Sequence, residues 1–184
     1  MPTDREYRPF PDEEARNSRQ SSLEVPLMIR ALRLPRQGRV LEVGCGRGIA
    51  LPVLATVLRP RRLVGLDVEP ALLERAQVHA AATGTAVELV PGDVRAMPFP
   101  DASFDLVIDF GTCYHIAHPL KALAEIERVL APGGLFVHET PVSQLLSHPV
   151  RAFGRRMPWD QARGFTRERT ALLWTARRRT RWAA

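Results

Sequence analysis

Between Val40 and Thr140, short apolar runs alternate with longer stretches of helical periodicity, and few layered architectures accommodate that rhythm. The runs VLEV (Val40–Val43), LVGLD (Leu63–Asp67), AVELV, FDLVIDF and LFVHET read as strands. Between them IALPVLATVL and PALLERAQVHAAATG read as helices, the second with Pro70 in its first turn and Gly84 at its C-terminal cap. A further helix after the fourth strand places Leu120, Leu123, Ile126 and Leu130 on one face and stops at Pro132-Gly133-Gly134. Asp105 is read as part of a turn with Asp101. Strand–helix–strand units close with right-handed crossovers, which predicts a parallel sheet covered by helices on both faces. VSQLLSHPVRAFG reads as one more covering helix, and GFTRERT and ALLWTARRR as two closing strands in an antiparallel hairpin. The expectation is an α/β fold with a doubly wound, mostly parallel seven-stranded sheet.

A chain of 184 residues holds one good-sized core and little more. Residues 1–38 are expected to form an arm and a helix covering the site, in which Val25, Met28, Ile29 and Leu32 recur at helical spacing after Ser21-Ser22. Residues 39–184 form the α/β domain, with a short C-terminal lid. No apolar run approaches the roughly 18–20 residues that cross a bilayer, and MPTDREYRPFPDEE lacks a secretory apolar stretch. Cytoplasmic location with no membrane partner is the expectation. Cys45 and Cys113 have no metal-site spacing, so neither a bound metal nor a disulfide is expected. The net charge of +6 is concentrated from Arg151 onward, where ten arginines face Asp160 and Glu168. Such a run is either a solvated edge that discourages aggregation or a surface for nucleic acid.

The chemistry concentrates where the first strand meets the first helix, in Glu42-Val43-Gly44-Cys45-Gly46-Arg47-Gly48. Glycines let the backbone turn sharply and approach a ligand, and the helix beyond offers unpaired N–H groups. In open α/β sheets the ligand crevice lies at the carboxyl ends of the strands, where Asp67 ends the second strand at the distance expected of a ribose-binding acid.

The pattern G-C-G-R-G, with an acid two residues ahead, differs from the G-x-G-x-x-G of dinucleotide enzymes. VLEVGCGRG resembles the first motif of class I S-adenosylmethionine-dependent methyltransferases, a Rossmann-like family. LVGLDVEP, LVPGDVRAMPFPDASFDLVI and ERVLAPGGLFVHE resemble its later stations in order, from about Val40 to Glu139. The resemblance implies S-adenosylmethionine as cofactor and S-adenosylhomocysteine as product, held by Glu42, Gly44, Cys45, Gly46 and Gly48, with Val68 beside them. It implies ribose binding by Asp67, an adenine contact by Asp93 and a backbone contact by Val94. Asp109 and Phe110 map to the methionine end. Asp93 could instead cap a turn, and Glu42 could act through water or orient the loop.

A sulfonium methyl is already electrophilic, so positioning carries most of the reaction. His115 is the candidate catalytic base, since a reference pKa near 6.5 suits proton removal from an acceptor. Tyr114 is a candidate for a cation–π contact, and the alternative is that both residues pack under the next helix. The strand exit D-F-G-T differs from the N-P-P-Y of amino-methylating DNA and glutamine enzymes, and no Pro-Cys pair is present. The overall look resembles the small-molecule branch, so a small-molecule acceptor is expected. RNA is the rival acceptor. Two readings from different classes stay open, a non-catalytic cofactor-binding module and a nicotinamide enzyme whose glycine pattern has drifted. A homodimer is compatible with each.

Overall fold

In a computed structural model, residues 13–140, 142–143, 157–171 and 173–180 are described. The strands are β1 (Arg39–Val43), β2 (Arg62–Asp67), β3 (Glu88–Pro91), β4 (Phe104–Asp109), β5 (Leu130–Glu139), β6 (Phe165–Thr170) and β7 (Trp174–Arg179). They form one sheet in the order β3-β2-β1-β4-β5-β7-β6. Strands β1 to β5 pair in parallel, and β7 runs antiparallel to both β5 and β6, as the closing hairpin requires. The chain winds outward from β1 to β3, then returns to β4 on the other side of β1. That reversal opens a crevice at the carboxyl ends of β1 and β4.

Alternation along each strand feeds two cores. Val40, Leu63, Leu106, Ile108, Leu135 and Val137 pack on one face with α2 (Val25–Leu32), α3 (Leu51–Leu58) and α4 (Pro70–Ala82). Leu41, Val43, Val64, Leu66, Val107 and Phe136 pack on the other face with α5 (Pro119–Val129). Burial on both faces explains why these strands read as continuous apolar runs.

At the N-terminus, α1 (Glu13–Arg19) and α2 are joined without a break by a π-helical turn, Gln20–Glu24. The Val25 N–H reaches back to the Gln20 carbonyl, and the widened turn accommodates Pro26, which has no N–H to donate. Val25, Met28, Ile29 and Leu32 are all buried, as their spacing predicts. No helix among the described residues is long and apolar enough to cross a membrane. The segment read as a helix, VSQLLSHPVRAFG, lies outside the described residues except for Val142 and Ser143.

Three local expectations are corrected. The buried face of α5 is Ala122, Leu123, Ile126 and Val129, whereas Leu120 is 40% exposed and Leu130 already belongs to β5. The helix ends at Val129, and Pro132-Gly133-Gly134 forms an irregularity within β5, between the Phe104 and Leu106 pairings. Asp105 is not in a turn but in β4, where its carboxylate receives the Arg39 N–H at 2.8 Å and the Arg39 Nη2 at 2.8 Å.

Candidate active site

A cavity of about 550 Å³ opens at the carboxyl ends of β1, β2 and β4. Its floor comes from the loop after β1. Gly44, Gly46 and Gly48 all have positive φ, and Gly44 could not carry a side chain, because a Cβ there would lie 1.8 Å from Thr112 Oγ1. The Thr112 hydroxyl donates to the Val43 carbonyl at 3.2 Å, so the loops after β1 and β4 are fastened at this close approach. Gly48 serves packing instead: a Cβ would meet Ala76 at 3.1 Å. It does not border the cavity, in contrast to Gly44, Cys45 and Gly46.

Asp67 holds the loop in place. One carboxylate oxygen accepts the Gly46 N–H at 2.8 Å and the other the Glu69 N–H at 2.9 Å. Two bonds leave lone pairs for further donors. Val68, 51% exposed, continues this wall. The Cys45 thiol packs over Gly65 of β2, and burial pushes its pKa up, so it is a space-filling group rather than a nucleophile. Both cysteines are free and buried. Among the described residues no group of three or more His, Cys, Asp or Glu is arranged to hold a metal ion.

A second wall is the turn after β3. Asp93 accepts the Arg95 N–H at 2.8 Å and pairs with the Arg95 guanidinium at 2.7 Å, so it caps its turn while also lining the cavity. Helix α5 steadies this segment. Glu125 accepts the Met97 N–H at 2.7 Å, and Arg128 donates to the carbonyls of Phe99 and Met97 at 2.7 and 3.0 Å. Val94 and Arg95 both border the cavity.

The third wall follows β4. Phe110, Gly111, Thr112, His115 and Ile116 line it. Asp109 does not, contrary to expectation: it is buried beneath the turn and accepts the Thr112 N–H at 2.6 Å and the Cys113 N–H at 3.2 Å. Burial raises its pKa, and the hydrogen bonds from Cys113, Thr112 and Gly111 oppose that rise. Tyr114 is also absent from the cavity. It is 2% exposed, and its hydroxyl donates to the Glu139 carbonyl at 2.6 Å. A buried tyrosine needs a partner for its hydroxyl, and this one lies within the sheet, which leaves no route to a cation–π role.

Glu42 stands at the centre of the floor. It is 2% exposed, yet its Oε2 has no hydrogen-bond partner among the described residues. Burial, then repulsion from Asp67, raises its pKa to about 8; Arg16 pulls the other way and Asp109 adds to the rise. Glu139, at the end of β5, is raised to about 7 mainly by burial and then by Asp109. Its Oε2 lies 3.3 Å from where a Cβ on Gly111 would sit, and His115 Nε2 lies 3.9 Å from that same point.

Arg16, Asn17 and Gln20 of the N-terminal helix close the cavity, and Arg16 Nη1 donates to Gln20 Oε1 at 3.1 Å. The sequence places the arm over the site without distinguishing these residues. Arg16 and Gln20 are four apart and Asn17 and Gln20 three apart, a one-face helical spacing of polar residues that reads equally as a solvated face. Arg47, Glu69, Thr112 and Ile116 escape sequence reasoning for a different reason, because their positions depend on how separate loops converge.

Residues 41–138, over half of the 184, match the family described as methyltransferase domain. The chain belongs to this methyltransferase-domain family, and its doubly wound sheet is the fold of class I S-adenosylmethionine-dependent methyltransferases. A probable S-adenosylmethionine-dependent methyltransferase of Mycolicibacterium smegmatis is 37% identical over 102 residues, which are 55% of this chain and 37% of that protein. The phthiotriol/phenolphthiotriol dimycocerosates methyltransferase of Mycobacterium leprae is 40% identical over 96 residues, 52% of this chain and 35% of that protein. The matched segments thus span 35–37% of these relatives. A crystal structure of a SAM dependent methyltransferase from Aquifex aeolicus superposes with a TM-score of 0.70 at 21% identity, covering 88% of this chain and 92% of that one, and shares its fold.

The site fits the family's cofactor on its own chemistry. A volume of about 550 Å³ suits a nucleoside-bearing ligand, the buried Glu42 oxygen lacks a donor among the described residues, and the glycine loop and Asp67 border the space.

Proposed function

We propose that this cavity binds S-adenosylmethionine and that the protein transfers its methyl group to a small-molecule acceptor. The carrying observation is that Gly44, Gly46, Asp67, Asp93, Val94 and His115, drawn from four loops, border one space. When bound, the cofactor supplies a methyl group made electrophilic by a sulfonium. Asp67 takes the ribose hydroxyls with its remaining lone pairs, Asp93 meets the adenine amino group, and Val94 offers its backbone to the adenine ring. The glycine loop and Phe110 hold the methionine end. His115 borders the remaining space and would take the proton that the acceptor gives up on methylation. The N-terminal helix, through Arg16, Asn17 and Gln20, excludes water from that step.

The Mycobacterium leprae relative is named for phthiotriol and phenolphthiotriol dimycocerosates, and an acceptor of that kind supports the small-molecule reading. So does the use made of the C-terminal arginines. Arg178 pairs with Glu168 at 2.8 Å, Arg169 donates to the Leu32 carbonyl, Arg179 to the Leu130 carbonyl, and Arg177 is buried over Trp159. Arginines committed to the fold in this way leave less charge for phosphates.

The test is transfer of labelled methyl from S-adenosylmethionine into separated pools of lipids, polar metabolites and RNA. Label in a small-molecule pool supports the reading, and label in RNA alone contradicts it. His115→Asn is expected to lower turnover by about 100-fold or more, with cofactor affinity nearly unchanged. Unchanged turnover would remove His115 from the mechanism.

A further inference from the structure

Glu42 lies on the middle strand of the crevice. Its register partners are Gly65 on β2, which has no side chain, and Ile108 on β4, so no donor stands opposite it on either neighbouring strand. Cys45 covers Gly65 and brings no positive charge. The groups that face Glu42 are Asp67 from β2, Asp109 from β4, Arg16 from α1 and the thiol of Cys45 from the loop, with His115 on the far wall. Its Oε2 is buried and lacks a partner among the described residues, and the residue borders the cavity. A carboxyl so placed stays neutral in the ligand-free protein, because ionising it means putting a charge on a buried, unpartnered oxygen near Asp67 and Asp109, which outweighs the pull of Arg16.

We infer that Glu42 exchanges a proton with solvent when the cavity takes up a ligand bearing a sulfonium, and that this makes the site select the cofactor over its product, which keeps the amino-acid zwitterion but lacks the sulfonium charge. The inference rests on the cofactor assignment made above. S-adenosylmethionine carries a sulfonium charge that S-adenosylhomocysteine lacks. A cation entering the cavity favours the ionised carboxyl, and the Glu42 proton leaves to the buffer. Once the methyl has gone, that charge is gone too, and Glu42 recovers a proton from solvent. The product is then held without the electrostatic gain that held the cofactor. Glu42 is thus a specificity-determining residue, acting on charge rather than on shape.

Proton linkage gives the sign. Below pH 8, where the ligand-free carboxyl is protonated, cofactor binding that releases a proton tightens as pH rises. Product binding without release does not change. Calorimetric titrations of the full chain at pH 6 to 7, in phosphate and in imidazole buffers of different ionisation enthalpy, count the protons. The expected result is release of about one proton with S-adenosylmethionine and much less with S-adenosylhomocysteine, so that the affinity ratio rises about tenfold per pH unit. Glu42→Gln, which keeps the shape of the neutral carboxyl, removes the difference and flattens the ratio. His115→Asn retains it, which separates Glu42 from the imidazole. Equal proton release for both ligands in the unaltered protein, or a difference that persists in Glu42→Gln, overturns the inference. Failure to bind either ligand is a separate result, in which the cofactor assignment falls and takes this inference with it.

Discussion

Replacing Gly44 with alanine puts a methyl group where the Thr112 side chain already lies. The nearest atoms to that Cβ are Thr112 Oγ1 at 1.8 Å, Cβ at 2.8 Å and Cγ2 at 2.9 Å, so rotating the threonine cannot clear the space. The residue also sits at φ +63, where an L-residue costs roughly 1–2 kcal/mol. Displacing Thr112 breaks its bond to the Val43 carbonyl, about 1 kcal/mol more, and the turn after β4 must shift as well. These two parts sum to about 2–3 kcal/mol, before the cost of moving the turn. Gly46→Ala is the internal control: its φ is +53, but nothing lies within 4 Å of its Cβ, so only the backbone strain of roughly 1–2 kcal/mol remains. Urea denaturation of both variants measures the difference, which should be about 1 kcal/mol or more, with unchanged m-values. All three colliding atoms are side-chain atoms, so Gly44→Ala combined with Thr112→Gly should recover the steric part of the loss. Equal destabilisation by Gly44→Ala and Gly46→Ala would refute the claim that contact between these loops, rather than backbone strain alone, requires a glycine.

Asp105→Ala removes the acceptor for one backbone and two side-chain donors of Arg39, and should destabilise the protein by about 1–3 kcal/mol in the same assay. Glu139→Gln tests the buried carboxyl of β5. Its folded pKa, raised from 4.5 to about 7, means that the native state keeps a proton the unfolded chain has already lost, so stability falls as pH climbs through that window. The variant's melting temperature relative to the unaltered protein should therefore be higher at pH 8 than at pH 4.5, and a difference independent of pH contradicts the assignment. The Glu42 contribution has the same sign and is present in both proteins.

The layered fold is legible in the sequence because its determinants are local. Val40, Leu63 and Leu106 sit in two-sided strands that read as apolar runs, and glycine-containing turns mark their ends. The binding loop is legible for the same reason, since G-C-G-R-G must turn tightly wherever it occurs. What cannot be read depends on long-range pairing. Asp105 looks like a turn residue until Arg39, distant in sequence, is brought beside it by parallel pairing. Tyr114 and Asp109 point to the site only by their nearness to the strand end. One step of a turn decides whether such a side chain faces the cavity or the core, and here both face inward. Leu120 and Leu130 keep helical spacing with the core residues, but the helix begins at Pro119 and ends at Val129, leaving one at an exposed start and the other in a strand. The raised Glu42 carboxyl cannot be read from sequence, because it arises first from burial and then from Asp67, with Arg16 opposing and Asp109 adding, all on separate elements.

The central claim is that the loops after β1, β2, β3 and β4 enclose a site for S-adenosylmethionine. Calorimetric titration with S-adenosylmethionine, S-adenosylhomocysteine and NAD addresses it directly, with Asp67→Ala as the matched variant. Both S-adenosyl compounds are expected to bind and NAD is not, and Asp67→Ala should weaken binding by about tenfold or more through the lost charge-assisted hydrogen bonds. Binding of NAD alone, or S-adenosyl affinities untouched by Asp67→Ala, would contradict it.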